Sequence, residues 1–179
     1  MDRHVFLIGM PGCGKSSLGK KSASYLGLNY IDTDQRIERV FGMPTSQIFQ
    51  RYGEQAFRNA ETNMLIHITR EPGAIVSTGG GTVLRPKNLA IMKNHGIIVL
   101  IDRPLEQIMG DIKLNRRPLL QEKGLPEVER LYHERMPLYR EAADVVLHNA
   151  YGYFAGVNGL EKLIQTFFNT PRRPKREWR

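Results

Sequence analysis

Apolar residues along this chain gather in five short runs, at 5–8, 29–31, 74–77, 97–101 and 145–148. Each run carries Val or Ile and is too short for a helix, which predicts strands buried on both faces, as in a parallel sheet. Between the runs the period becomes helical. Residues 15–26 place Leu18, Ala23 and Leu26 on one face, and 54–70 align Phe57, Ala60, Met64, Ile66 and Ile68 before Pro72-Gly73 closes the segment. Residues 35–41, 86–94, 104–114 and 125–143 also read as helices, two of them opened by Pro. Residues 159–168 are amphipathic through Leu160, Leu163, Ile164, Phe167 and Phe168. Strands alternating with helices predict an α/β fold, with helices flanking a parallel sheet through right-handed crossovers. No internal repeat or linker interrupts this alternation, so residues 1–170 are expected to form one domain. Residues 115–126 are polar, contain Pro118 and Gly124, and lie between helices. They predict a mobile lid over about 112–125.

Composition narrows the class. Of 179 residues, 41% are apolar and 25% charged, the balance of a soluble protein with a real core. No apolar run approaches the roughly eighteen residues of a membrane span, and no signal peptide is evident. Cys13 is the only cysteine, so no internal disulfide can form, and a cytoplasmic protein is expected. The net charge of +8 divides in two, because residues 171–179 hold five basic residues and one acid. That tail is broken by Pro171 and Pro174 and is expected to be disordered and solvated. The diffuse charge of the body suits anionic small molecules. No nucleic-acid reading motif accompanies it, so neither nucleic acid nor membrane is an expected partner, and a monomer is expected.

The most specific local signal is residues 9–17, Gly-Met-Pro-Gly-Cys-Gly-Lys-Ser-Ser, which match G-x-x-x-x-G-K-[ST] between a strand and a helix. Glycines let such a loop curl until consecutive N–H groups face phosphate oxygens, and the helix behind adds its positive dipole end. Gly12, Cys13, Gly14, Lys15, Ser16 and Ser17 are the expected phosphate-binding residues. Lys15 is placed to bridge the β- and γ-phosphates and Ser16 to ligate Mg²⁺. Cys13 reads as a small residue tolerated by a tight loop, with no local His to activate it.

Downstream, Asp32-Thr33-Asp34 ends the second run. Residues two apart on an extended segment share a side. Asp32 can therefore hold Mg²⁺ through water while Asp34 accepts a hydrogen bond from an acceptor hydroxyl. Asp34 is equally placed to be only the N-cap of the helix at 35–41. Arg58 and Glu61 stand three apart on a predicted helix, and a guanidinium fixed by a carboxylate is a good clamp for a ligand carboxylate. Gly79-Gly80-Gly81 follows the third strand, where ligands of open α/β sheets bind. Bland readings stand beside these: a surface ion pair and a flexible connection.

In this order and spacing the elements resemble the shikimate kinase family: the phosphate loop, Asp32-Thr33-Asp34, Phe57-Arg58 with Glu61, Gly79-Gly80-Gly81, Arg117-Pro118-Leu119-Leu120, and Arg135 before Pro137-Leu138-Tyr139. The resemblance covers roughly residues 5–148. It implies a P-loop kinase of the nucleoside-monophosphate-kinase-like fold with sheet order 2-3-1-4-5. It also implies transfer of the ATP γ-phosphate to the 3-hydroxyl of shikimate, in aromatic amino acid biosynthesis. By resemblance, Asp34 binds acceptor hydroxyls and assists proton removal, and Asp32 is the outer Mg²⁺ partner. Arg58 and Arg135 grip the shikimate carboxylate, and Gly80 is a backbone donor or a packing point against the ring. Arg117 is the lid arginine that reaches the transferring phosphate. The acceptor region then falls at about 32–61.

One position departs from the family pattern: Gly110 stands where many members carry an arginine that covers adenine, and Arg116 is the residue available to compensate. Adenine contacts are otherwise sought around residues 149–153. The alternatives are another small-metabolite kinase of the same fold, for gluconate or a nucleoside monophosphate, and a nucleotide-binding module without turnover. The first should lack the combination of Arg58, the triple glycine and Arg135. The second has no physical need of Lys15, Ser16, Asp32, Asp34 and Arg117 at once.

Overall fold

The five apolar runs lie side by side in one parallel sheet in a computed structural model of the chain, which describes residues 3–111 and 124–169. The elements in order are β1 (His4–Ile8), α1 (Lys15–Leu26), β2 (Asn29–Asp32), α2 (Thr33–Phe41), α3 (Thr45–Ile68) and β3 (Ala74–Ser77). A 3₁₀ turn (Thr82–Leu84) precedes α4 (Pro86–His95), β4 (Gly96–Asp102), α5 (Leu105–Asp111), α6 (Gly124–Ala142), β5 (Val145–His148) and α7 (Tyr153–Asn169). The strand order is β2-β3-β1-β4-β5. Val5 is paired with Ile75 on one side and Ile97 on the other, and the whole of Val5 to Ile8 is shut off from solvent.

That order assigns the faces. The step from β1 to β2 runs one way along the sheet, while those from β2 to β3, β3 to β4 and β4 to β5 run the other way. With right-handed crossovers, α1 covers one face and the intervening helices of the other three steps cover the opposite one. α7 returns to pack on α1. A second, smaller apolar cluster of Ile37, Ile48 and Phe57 joins α2 to α3.

Three helix starts differ from the sequence reading by two residues or more. α3 begins at Thr45, not at 54, because a separate helical stretch precedes Gly53 and joins the longer one across a break. Gly53 takes φ 79°, a left-handed value that favours glycine. α2 begins at Thr33 and is capped by Asp32, whose carboxylate accepts from the Gln35 N–H at 3.2 Å. This overturns the reading of Asp34 as the N-cap; Asp34 is inside the first turn. α7 begins six residues earlier than expected. Gly156 and Gly159 weaken its helical signal, yet they let the helix close on Leu18, Asn149 and Leu147. The described part of α5 ends at Asp111; residues 112–123, which hold most of the expected lid with Arg116 and Arg117, and the tail 171–179 lie outside the described residues, while Gly124 and Leu125 belong to α6. Among the described residues, no helix is long and apolar enough to cross a membrane.

Candidate active site

The loop between β1 and α1 sits at the carboxyl end of the central strand. Gly9, Gly12 and Gly14 all have positive φ, at 137°, 88° and 106°. A side chain at Gly14 would also strike the Asn149 amide. Asn149 donates from Nδ2 to the Cys13 carbonyl at 2.9 Å and so braces the loop from the far end of β5. Lys15 is folded back across the loop mouth, with Nζ donating to the carbonyls of Gly9 at 2.8 Å and Met10 at 3.0 Å. Those carbonyls belong to the motif loop, so the ammonium is held within the loop by the loop's own backbone. Cys13 is buried. The Ser17 hydroxyl donates to the Gly14 carbonyl at 3.0 Å.

β2 and α2 bring the two aspartates to this mouth in different ways. The Ser16 hydroxyl donates to Asp32 Oδ2 at 2.9 Å and lies 3.2 Å from the Ser77 hydroxyl. Tyr30 also donates to Asp32 Oδ2, at 3.3 Å. Burial, then the Asp32 carboxylate, pushes the Tyr30 phenol up to about 12, so it remains a donor. Asp34 is partly buried as a residue, but its Oδ1 is enclosed and has no hydrogen-bond partner among the described residues. Burial, with the carboxylates of Glu61 and Asp32, pushes this carboxyl up to about 7 against the opposing pull of Lys15. An enclosed, unsatisfied carboxyl oxygen is costly, and at a cleft it marks a place for a donor from outside.

The glycine triplet after β3 is packed by the protein's own charged groups. A Cβ on Gly79 would stand 2.6 Å from Glu61 Oε1 and 2.7 Å from Asp34 Oδ1, and one on Gly81 would collide with the Arg58 guanidinium. The glycines are therefore needed to let these side chains meet. Arg58 is buried and pairs with Glu61 at 2.7 Å and with Glu54 at 2.9 Å. Thr82 donates to the other oxygen of Glu61 at 3.0 Å. Arg135, on α6, donates from Nη1 to the Gly80 carbonyl at 3.4 Å, and the fully buried Tyr139 donates to the same carbonyl. Burial raises the Tyr139 phenol above its ordinary range and keeps it a donor. Gly79→Ala is expected to force Asp34 and Glu61 apart and to cost about 1–3 kcal/mol by overpacking. An unchanged denaturant midpoint would show that the carboxylates move aside freely.

The structure thus gathers Lys15, Ser16, Asp32, Asp34, Arg58, Glu61, Gly79 to Gly81 and Arg135 around one end of the sheet. Tyr30, Ser77, Thr82, Tyr139 and Asn149 belong to the same constellation; the motif reading gave the first four no role there and sought only adenine contacts around Asn149. All but Tyr30, which stands two residues from Asp32, are distant in sequence from the group they touch, without a spacing to betray them. The position of Ser77 at the end of β3 was the one usable signal, because strand C-termini form such sites.

Comparison with known proteins agrees with this geometry. The family model for shikimate kinase matches residues 11–153. A shikimate kinase of Clostridium beijerinckii is 40% identical over 164 residues, covering 92% of this chain and 96% of that protein. One of Aromatoleum aromaticum is 39% identical over 166 residues, covering 91% and 95%. A solved shikimate kinase from Acinetobacter baumannii, in complex with shikimate, superposes with a TM-score of 0.85 at 31% identity and covers 96% of both chains. With the strand order, the phosphate loop and these matches in agreement, the chain belongs to the shikimate kinase family.

Proposed function

We propose that this cleft transfers the ATP γ-phosphate to the 3-hydroxyl of shikimate, giving shikimate 3-phosphate and ADP. The observation that supports it best is the meeting of two unlike half-sites. A phosphate loop with its lysine lies on one side, and an unsatisfied acid with two arginines lies on the other. The acceptor carries a carboxylate and ring hydroxyls, so it needs a fixed cation for the first and an acceptor for the second. Arg58, held by Glu61 and Glu54, and Arg135 beside it supply the cation. Asp34 takes the hydroxyl proton or orients the oxygen, and Lys15 neutralises charge between the β- and γ-phosphates. Arg117 is assigned to the transferring phosphate on family resemblance.

The Ser16 hydroxyl and Asp32 carboxylate fit Mg²⁺, which prefers hard oxygen ligands and keeps several waters. They would hold it beside the loop, where it supplies neutralisation of the phosphate oxygens. Among the described residues there is no cluster of three His, Cys, Asp or Glu side chains for a metal. A site of one hydroxyl and one carboxylate suits a cation whose other ligands are water and phosphate. We further propose that residues 1–170 act as one domain, with the acceptor region at about 32–61 and the lid at about 112–125.

The test is ADP release from Mg-ATP with shikimate, gluconate and nucleoside monophosphates as parallel acceptors. Strong stimulation by shikimate alone is expected. Stimulation by another acceptor would discard the acceptor assignment while sparing the phosphate loop. Arg58→Ala should weaken shikimate binding and also destabilise the protein by about 3 kcal/mol, because Glu61 would stay buried without its cation. Intact shikimate affinity in that variant would remove Arg58 from the acceptor site.

A further inference from the structure

Arg103 follows the last residue of β4 and lies outside every motif discussed above. Its guanidinium nevertheless reaches three partners among the described residues. Nη1 donates to the carbonyl of Gly12 at 3.1 Å, Nε donates to Gln107 Oε1 at 3.3 Å, and Nη2 pairs with Asp111. Gln107 in turn donates from Nε2 to the Ala150 carbonyl at 3.1 Å. One side chain thereby ties the phosphate loop to α5 and, through Gln107, to the segment after β5. Asn149 makes a parallel tie, donating from its backbone N–H to the Asp102 carbonyl at 2.7 Å and from its side chain to Cys13.

The contact with Gly12 has a specific physical meaning. A phosphate nest works because successive N–H groups turn inward, which turns carbonyls outward in need of partners. Gly12 is one of the residues in the left-handed region that makes this turn. A guanidinium on its carbonyl holds the peptide in the phosphate-ready orientation and sets a positive charge behind it. The Arg103 side chain is only 20% exposed, whereas Asp111 is 64% exposed, so the loop contact is the sheltered half of the arrangement. Asp111 is also the last described residue of α5, where the chain leaves for residues 112–123.

We propose that Arg103 is a positioning residue for nucleotide, presetting the Gly12 peptide of the phosphate loop and anchoring α5 against it. The inference rests on the reading that this loop binds ATP phosphates. It assigns Arg103 to the nucleotide half of the reaction and not to the acceptor half, since none of its contacts reaches Asp34, Arg58, Gly79 to Gly81 or Arg135.

The experiment combines calorimetric titration of Mg-ADP with KM values for both substrates, in wild type, R103A, R103Q and R103K. For R103A, loss of a charge-assisted bond should weaken Mg-ADP binding and raise the KM for ATP on the order of tenfold or more. The shikimate KM should stay within about twofold, because uniform acceptor binding is untouched. R103K keeps the charge and one donor, so partial recovery is expected. Should R103A fail to fold, R103Q against R103K makes the same comparison. Unchanged Mg-ADP affinity would overturn the proposal. So would an equal rise in both KM values, the mark of a general structural defect. Absence of Mg-ADP binding in wild type would instead remove the nucleotide reading on which it stands.

Discussion

Lys15→Met should reduce turnover on the order of a thousandfold or more, the scale on which one preorganised charge at a reacting centre acts. The length and apolar stem of lysine are kept, so the change isolates the ammonium. That group is buried, and it donates to Gly9 and Met10 within the loop that should receive the phosphates. Phosphoryl transfer leaves little covalent chemistry for the protein, so catalysis is positioning and neutralisation, and a fixed cation cannot be replaced by solvent. The same variant leaves two loop carbonyls without their donor, which should lower the melting temperature slightly. Single-turnover rates would separate the effects, and unchanged activity would sink the phosphate-loop assignment.

Asp34→Asn should lower the rate by a factor on the order of a hundred to ten thousand, the range of general-base contributions, while Mg-ADP binding persists. A loss confined to nucleotide affinity would contradict the acceptor-side role. The pH behaviour gives an independent check. In the free enzyme the Asp34 carboxyl is raised to about 7, so the ionised form is depleted below that pH. Wild-type kcat/KM for shikimate should fall as pH drops through about 7, and the Asn variant should lose that limb. Stability should respond in the opposite sense. An unfolded aspartate titrates near 4 and the folded Asp34 near 7, so between them the folded chain holds a proton that the unfolded chain has released. Its stability therefore declines as pH rises across that window and does not recover above it. Asp34→Asn should accordingly raise the melting temperature more at pH 8 than at pH 5. An equal shift at both values would show that the enclosed carboxyl carries no such strain.

The phosphate loop was legible because its residues are contiguous and the chemistry dictates their spacing. β1, β3 and β4 were legible because burial on both faces leaves an unmixed apolar run; β2 and β5, at the edges of the sheet, are only partly buried and did not meet that expectation. Arg58 and Glu61 could be paired from their helical spacing, but their joint burial could not, because it depends on Thr82 and on the space left by Gly79 and Gly81. The triple glycine was read as room for a visitor, and the residues that occupy it are Asp34, Glu61 and Arg58 themselves. The helix before Gly53 escaped notice because the break there divides the period in two. Asp34 reads as a cap when the helix is read from residue 35, and only the backbone shows that the helix starts at Thr33 and leaves Asp32 outside as the cap. Tyr139 and Asn149 reach the site from the far half of the chain, where only the fold makes them neighbours.

The order of the sheet also sets a schedule for the growing chain. β1 is synthesised before both of its neighbours, β3 and β4, which follow some seventy and ninety residues later. At a synthesis rate of about 5–20 residues per second, this buried strand waits several seconds for a partner. The phosphate loop that follows it waits longer still, for the brace from Asn149. On a ribosome, nucleotide affinity would arrive late and abruptly, and a chain released before β5 would carry the motif without the grip.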